Sequence, residues 1–361
     1  MSKYKILVVG AGPVGLTAAL ELSRLGQEVK IIDKNAGHST VSKAVGINAR
    51  SLELLEPSGV TDSLINAGIS LKKMYLHAAG KAYVMNMGLI KHQYNFMLML
   101  PQNETEAILE NALNQLGIFV DRKTQLMRLS QQKTHVTAQI ETSHGEIEET
   151  YDFVIGADGA HSVVRKSIGA NFNGAAYEAS WHLLDLMMDF SFDKPASHGF
   201  IYPKGQVLVI IPIGKQRYRI IANANDAFSL LPEDCNVHEV FWQSHFSVHH
   251  RLTDTYRKEH VFLAGDAAHL HTPVGGRGMN LGIEDAAILA KLISNGEWKS
   301  YHDLRYPIGK KVVTETDKAY RMLTLTNRVG IFLRNRLLLP FASIPAIQRK
   351  QLTNIAGLSE K

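Results

Sequence analysis

Ile6-Leu7-Val8-Val9 is a continuous apolar run that ends in a glycine-rich turn, and Val29 to Ile32 is a second such run. Uninterrupted short apolar runs fit strands buried on both faces of a parallel sheet. Between them, Pro13 to Leu25 has helical spacing, with proline in the first turn and Gly26 just past the end. Strand, helix and strand in this order predict a βαβ unit. Leu52 to Leu64 and Glu104 to Leu116 also read as helices. Leu71 to about Leu100 and Trp181 to Asn223 differ, with alternating runs such as Phe200-Ile201-Tyr202, Val207 to Ile211 and Tyr218 to Ile221. Turns at Lys204-Gly205 and Gly214-Lys215 make these antiparallel strands. Two further strand–turn–helix units are predicted over Phe153–Gly169 and Val261–Ile293. The last fifty residues read as helical, with Pro340 and Pro345 as breakers.

The expected fold is therefore α/β, a Rossmann-like domain (1–70, 98–175 and 255–330) interrupted by a β-sheet domain (71–97 and 176–254). A helical tail (331–361) follows. The tail is expected to pack on the first domain through Phe332, Leu337, Leu338 and Phe341.

Composition narrows the class. With 361 residues, 45% hydrophobic and 20% charged, the chain is globular rather than disordered or fibrous. Its one cysteine, Cys235, excludes a disulfide framework and a cysteine zinc cage, and fits a cytoplasmic location. No signal peptide and no membrane-spanning run are read. Net charge is +5, but Lys310–Lys361 alone holds ten Lys/Arg against three Asp/Glu. The expectation is a solvated helical face, and no aromatic-and-basic RNA signature accompanies it. His249-His250 point apart on a strand, so no metal site is expected. His269 and His271 read as structural. Ser42 and Ser162 lack a nucleophile elbow.

Three motifs carry the chemistry. The first is Gly10-Ala11-Gly12-Pro13-Val14-Gly15. Gly10 permits the tight turn, Gly12 lets backbone approach a pyrophosphate at the helix N-terminus, and Gly15 allows close helix–strand packing. Asp33 closes the second strand, where a carboxylate can hold ribose hydroxyls. This motif alone does not separate NAD from FAD. The second motif is Gly156-Ala157-Asp158-Gly159-Ala160-His161-Ser162, followed by Arg165. The third runs from Val261 through Gly265-Asp266 to Pro273-Val274-Gly275-Gly276-Arg277-Gly278-Met279-Asn280 and Glu284-Asp285. Each places a carboxylate at a strand end, on the ligand side of an α/β sheet. Ribityl hydroxyls would satisfy Asp266.

With these three motifs in order, residues 4–330 resemble the class A FAD-dependent monooxygenases, the p-hydroxybenzoate hydroxylase-like aromatic hydroxylases. The resemblance implies that Gly10, Gly12, Pro13, Val14, Gly15, Asp33 and the adjoining Lys34 hold the ADP part of FAD. Asp266 would take the ribityl and pyrophosphate region. Pro273 would lie over the flavin near the oxygen-addition face, with Gly276, Gly278, Met279 and Asn280 at the pyrimidine edge. Asp158 would help dock NAD(P)H. Arg50, Gln102 and Leu126 match cofactor-contacting positions, and Lys43 stands where the family usually has arginine.

The implied activity is NAD(P)H-dependent hydroxylation of a phenolic or polyketide-like molecule by O₂ through a flavin C4a-hydroperoxide. No side chain is obliged to be a nucleophile, and Tyr202, Arg219 and His198 are pocket candidates. His161 departs from the arginine or cysteine common in the second motif. The chain resembles a compact member without the thioredoxin-like third domain of larger relatives. A halogenase lacks support, because Trp181, Trp242 and Trp298 form no Trp-x-Trp pair. A flavin reductase or redox-binding protein without oxygen insertion remains the alternative. Nucleic acid is not an expected partner. The substrate, the choice between NADH and NADPH, and the oligomeric state are not legible.

Overall fold

The computed structural model describes residues 3–38, 44–192 and 195–359. The first βαβ unit forms as its pattern predicts: strand Lys5–Val9, helix Pro13–Arg24 and strand Glu28–Asp33. Both strands pair in parallel. They join Phe153–Gly156, Val261–Leu263, Val120–Arg122 and the short Arg257–Lys258 in a six-stranded sheet, parallel except at that last edge. Ile6, Leu7, Val8, Ile31, Val154, Ile155 and Phe262 are fully buried, as strands covered on both faces require.

An eight-stranded sheet holds the alternating segments. Its centre is a pair of 18-residue antiparallel strands, Phe172–Asp189 and Asn236–Thr253. Arg217–Ala222, Val207–Gly214 and Ala196–Ile201 continue it antiparallel, and Lys73–Ala78 adds to Ala196–Ile201 in parallel. Side chains alternate between faces. Leu184, Ile210 and Ile220 face a separate core away from the six-stranded sheet. Asp185, Ile211 and Arg219 take the other face, toward residue 44.

Some expectations need correction. Leu52–Leu64 is not one helix. Ala49–Leu55 and Thr61–Ala67 are separated by a turn holding Pro57 and the left-handed Gly59. A three-stranded sheet, Gln125–Gln131, Val136–Thr142 and Gly145–Tyr151, was not anticipated. Pro340 breaks nothing. It sits in the first turn of Leu339–Ala342, directly after a π-helical turn, Arg334–Leu338, whose wider winding accommodates the missing N–H.

The tail also packs differently. Phe332, Leu337, Leu338 and Phe341 are all exposed. Leu339 instead packs on Ala78 and Ile201 of the eight-stranded sheet. Buried Arg334 donates from Nη1 to the Leu323 carbonyl at 2.8 Å, which fixes which face of this segment turns inward. Helix Pro345–Ile355 buries Leu352, with Ala356 just beyond it, against Ala49, Met87 and Ile90. No helix among the described residues is long and apolar enough to cross a membrane.

This packing yields a contrast. Leu352→Ala should cost about 2–4 kcal/mol in urea unfolding. Phe341→Ala should change stability by less than about 0.5 kcal/mol. A large loss at Phe341 would restore the packing first expected of the tail.

Candidate functional site

The three motifs meet at one loop. A Cβ on Gly10 would lie 2.4 Å from the Ala157 carbonyl oxygen, and one on Gly15 would lie 1.8 Å from the Gly10 carbonyl oxygen. Gly10 also has φ of 101°, a left-handed conformation that favours glycine. The third motif closes on the same helix. A Cβ on Gly282 would reach Val14 Cγ2 at 2.5 Å, and one on Gly265 would reach it at 2.8 Å. Among these glycines Gly12 is different. Its added Cβ would meet nothing within 4 Å.

That open space lies at a helix N-terminus with no side-chain cap and no acid in its first turn. Uncapped N–H groups and the helix dipole make an anion site there. Asp33 stands beside it, its Oδ2 accepting from Ala11 N at 2.7 Å and its Oδ1 from Asn35 N at 2.7 Å. Each carboxylate oxygen keeps a lone pair for a ribose hydroxyl. Lys34 follows, exposed. Thr124 N donates to the Asp33 carbonyl, which brings buried Leu126 to the same strand end.

The helix Gly278–Ser294 has a second uncapped N-terminus, again without an acid in its first turn. Gly275 and Gly276 before it are left-handed, with φ of 79° and 60°, and Gly276 N donates back to the Pro273 carbonyl at 3.1 Å. Asp266 and Pro273 are exposed at its approach. Met279 is half-buried. Asn280, expected at the flavin edge, uses its side chain inside the protein. Its Oδ1 accepts from Asn48 N and Ser51 Oγ, both at 2.8 Å, and its Nδ2 donates to the Gly46 and Gly276 carbonyls. It fastens two loops together, and only its backbone is left to approach a ligand.

Behind this loop lies a buried ionic cluster that the sequence reading missed. Asp285 accepts from Arg305 Nε at 2.7 Å, pairs with His269 Nε2 at 2.7 Å and receives Gly265 N at 3.3 Å. Arg305 also reaches Glu284 at 2.8 Å. Burial alone would raise the Asp285 pKa, but Arg305 and His269 outweigh it and hold the carboxyl below its ordinary range. Arg165 ties the second motif to the third, donating to the Ala160 and Ala267 carbonyls at 2.9 Å each. Only the Glu284-Asp285 pair in the third motif hinted at this cluster, because Arg305 lies on the next helix.

Other expected positions are occupied by protein partners. Asp158 accepts from Val163 N at 2.7 Å and Val164 N at 3.1 Å, capping helix Val163–Ser167, while its enclosure pushes its pKa up. Ser162 caps the same helix through Arg165 N, and His161 is exposed. Arg50 pairs with Glu53 at 2.8 Å. Gln102 holds Glu106 at 2.8 Å and receives Ala44 N at 3.4 Å. Lys43 and Ser42 lie outside the described residues.

The pocket candidates are corrected. Tyr202 donates its hydroxyl to the Leu230 carbonyl, and His198 stacks on Tyr75 at 5.0 Å. Both lie on the sheet face turned away from the motifs, because strand alternation puts them with Ile210 and Leu208. Arg219 faces the motifs but is fully buried, held by two 2.7 Å bonds to Asp185. The wall nearest the motif loops is instead apolar and aromatic. Ile211 and Ile213 pack with Val45, while Trp181, Tyr320 and Ile221 pack with Val274, next to Pro273.

His271 lies against Gly278. Its Nδ1 bonds the Thr272 carbonyl, and its Nε2 is buried without a hydrogen-bond partner among the described residues. Burial, reinforced by His269 and Arg277, pushes its pKa down to about 4, so the ring is neutral at pH 7. An unpartnered buried ring nitrogen, two uncapped helix ends and open space over Gly12 together fit an elongated dinucleotide bearing an anionic centre.

The fold and site define a dinucleotide-binding flavoprotein. The chain matches the family model described as FAD binding domain over residues 3–316, and it belongs to that family. It is 30% identical over 353 residues to a 6-methylpretetramide 4-monooxygenase of Streptomyces rimosus, covering 90% of this chain and 63% of that protein. It is 30% identical over 361 residues to a pentachlorophenol 4-monooxygenase of Sphingobium chlorophenolicum, covering 90% and 67%. The chain thus spans about two thirds of the length of these relatives. Among solved structures, an anhydrotetracycline hydroxylase from Streptomyces rimosus superposes with a TM-score of 0.83 and 25% identity, covering 99% of this chain and 76% of that one. A p-nitrophenol 4-monooxygenase from Pseudomonas putida shares the fold, with a TM-score of 0.88 at 22% identity and 99% of both chains covered.

Two outcomes test the site. Gly12→Ala, whose backbone is extended (φ −77°, ψ −178°) and whose methyl meets no protein atom, should leave the apoprotein's melting temperature unchanged. Flavin fluorescence titration should show FAD affinity lowered at least about tenfold, since a methyl in the phosphate path removes a close backbone contact. Gly15→Ala should instead destabilise the fold itself by about 1–3 kcal/mol. Equal melting temperatures and affinities across all three proteins would overturn the assignment.

The second outcome concerns pH. Folded His271 stays neutral down to about pH 4, while in the unfolded chain it protonates near pH 6.5. Its stabilising contribution is fully present above pH 6.5 and is lost as pH falls toward 4. A displacement from 6.5 to about 4 corresponds to about 3 kcal/mol. His271→Gln should flatten that part of the acid loss in urea unfolding. An unchanged slope would show that the ring already protonates in the folded state.

Proposed function

We propose that this protein is an FAD-dependent, NAD(P)H-using monooxygenase that hydroxylates a small aromatic molecule with O₂. The observation that carries the reading is the convergence of three strand-end motifs on two uncapped helix N-termini. FAD, when bound, supplies the two-electron chemistry that activates O₂. The chain's own residues bind, orient and exclude water.

The N-terminus at Gly12 takes the pyrophosphate, and Asp33 and the backbone beside Leu126 take the adenosine. Asp266 accepts from ribityl hydroxyls. The uncapped Gly278 N-terminus presents its N–H groups to the pyrimidine edge. Val45, Ile211, Ile221, Trp181, Val274 and Tyr320 form a dry wall beside Pro273 for an aromatic ring. Exclusion of water at that wall protects a reactive oxygen species from decay to peroxide. Asp158, through the helix that it caps, would shape the docking of a nicotinamide, which would supply the reducing electrons. Relatives named for 6-methylpretetramide and pentachlorophenol support a phenolic or polyketide-like substrate class.

Purified yellow protein should oxidise NAD(P)H slowly alone and faster with a true substrate from a panel of phenols and aromatic polyketides. Label from ¹⁸O₂ should enter the product. Stimulated NAD(P)H oxidation with all label in peroxide or water would leave a flavin reductase and defeat the monooxygenase reading.

A further inference from the structure

The segment Arg328–Ala342 is anchored from one side only. Inward, Leu339 is buried against Ala78 and Ile201, Arg334 donates to the Leu323 carbonyl, and the Asn335 carbonyl accepts from Tyr83 Oη at 3.3 Å. Outward, Val329, Phe332, Leu333, Leu337, Leu338 and Phe341 stand 43–71% exposed. Their three-to-four residue spacing makes one apolar stripe along the helix. Isolated exposed apolar residues need no explanation, but a continuous stripe with two phenylalanines does. The segment is held too firmly to be a frayed end.

Charge indicates what covers the stripe. From Lys318 to Ser359 the chain carries seven Lys/Arg and no Asp/Glu. Arg328 and Arg336 on this segment, and Arg349 and Lys350 on the next helix, are exposed. An apolar stripe flanked by cations without a compensating acid has the chemistry of a helix lying in the headgroup region of an anionic bilayer. A second copy is a poorer occupant, because a two-fold contact through this stripe would bring the two cationic rows together.

We infer that Arg328–Ala342 is a peripheral docking face for anionic lipid, with Phe332, Leu337 and Phe341 entering the surface and Arg328 and Arg336 meeting headgroup phosphates. The face is distinct from the flavin site, so the inference does not depend on the proposed reaction.

The test is co-flotation of the full-length, flavin-loaded protein with vesicles of phosphatidylcholine alone or mixed equally with phosphatidylglycerol. The protein should float with the mixed vesicles and not with phosphatidylcholine alone, and ~1 M salt should weaken binding. Arg328→Glu with Arg336→Glu, and separately Phe332→Ser with Leu337→Ser and Phe341→Ser, should each lower binding at least about tenfold. Both variants should keep the parent's melting temperature and flavin content, since these side chains are exposed. Failure to float with anionic vesicles would overturn the inference. So would equal binding to both vesicle types, or flotation unaffected by either variant. A dimer dissolved by the serine variant, without vesicle binding, would assign the stripe to a second copy. DNA binding without vesicle binding would assign the cations to nucleic acid.

Discussion

Gly10 and Ala157 come so close that no side chain fits between them, and the rest of the site depends on that contact. A Cβ at Gly10 would sit 2.4 Å from the Ala157 carbonyl oxygen, and one at Gly15 would sit 1.8 Å from the Gly10 carbonyl oxygen. Backbone against backbone lets two parallel strands end side by side with their loops touching. Val14 then fits against Gly265 and Gly282, so the third strand end is brought to the same helix. The buried Asp285–Arg305–His269 cluster holds that third loop from behind, and Arg165 bridges it to the second. Breaking a buried ion pair by removing one partner typically costs about 3–5 kcal/mol, so the loop is held firmly before any ligand arrives. What is left uncovered is the two helix ends, both without side-chain caps. A cradle that leaves two helix N-termini and the His271 Nε2 open is suited to a ligand with an anionic centre and a long polar chain.

The legible parts of this site were local. Glycines at Gly10, Gly12 and Gly15 between two apolar runs specify a turn and a helix within one short stretch, and their spacing carries its own geometry. Asp33 was legible as a strand-end carboxylate, and the fold sets it on the glycine turn through Ala11 N. The parts that were not legible depend on distant partners. Asn280 sits in a motif that suggests ligand contact, yet its amide is taken up by Gly276 and by residues more than two hundred positions away in sequence. Arg305 belongs to none of the three motifs, and only the fold places it on Asp285. His198 lies in strand Ala196–Ile201 and Tyr202 just beyond it, but their side of the sheet is set by register, and a one-residue difference reverses the face.

Helix boundaries show the same division. Pro57 and Gly59 split the helix expected over Leu52–Leu64, and both were visible in the sequence. Pro340 misled in the opposite direction, because a π turn takes up the disruption that proline normally causes. The tail carries apolar residues on more than one side, so periodicity alone did not reveal which side faces inward. Arg334, bonded to the end of the preceding helix, decides it, and that choice exposes the phenylalanines.

Asp266 decides whether these motifs hold one FAD or merely stabilise a sheet. Asp266 is exposed at the cradle, so Asp266→Ala should leave the apoprotein folded. Loss of its charge-assisted hydrogen bond should weaken FAD by about 1.5–3 kcal/mol, roughly ten- to hundredfold in the dissociation constant measured by flavin fluorescence. Unchanged FAD affinity in a folded Asp266→Ala protein would contradict the assignment.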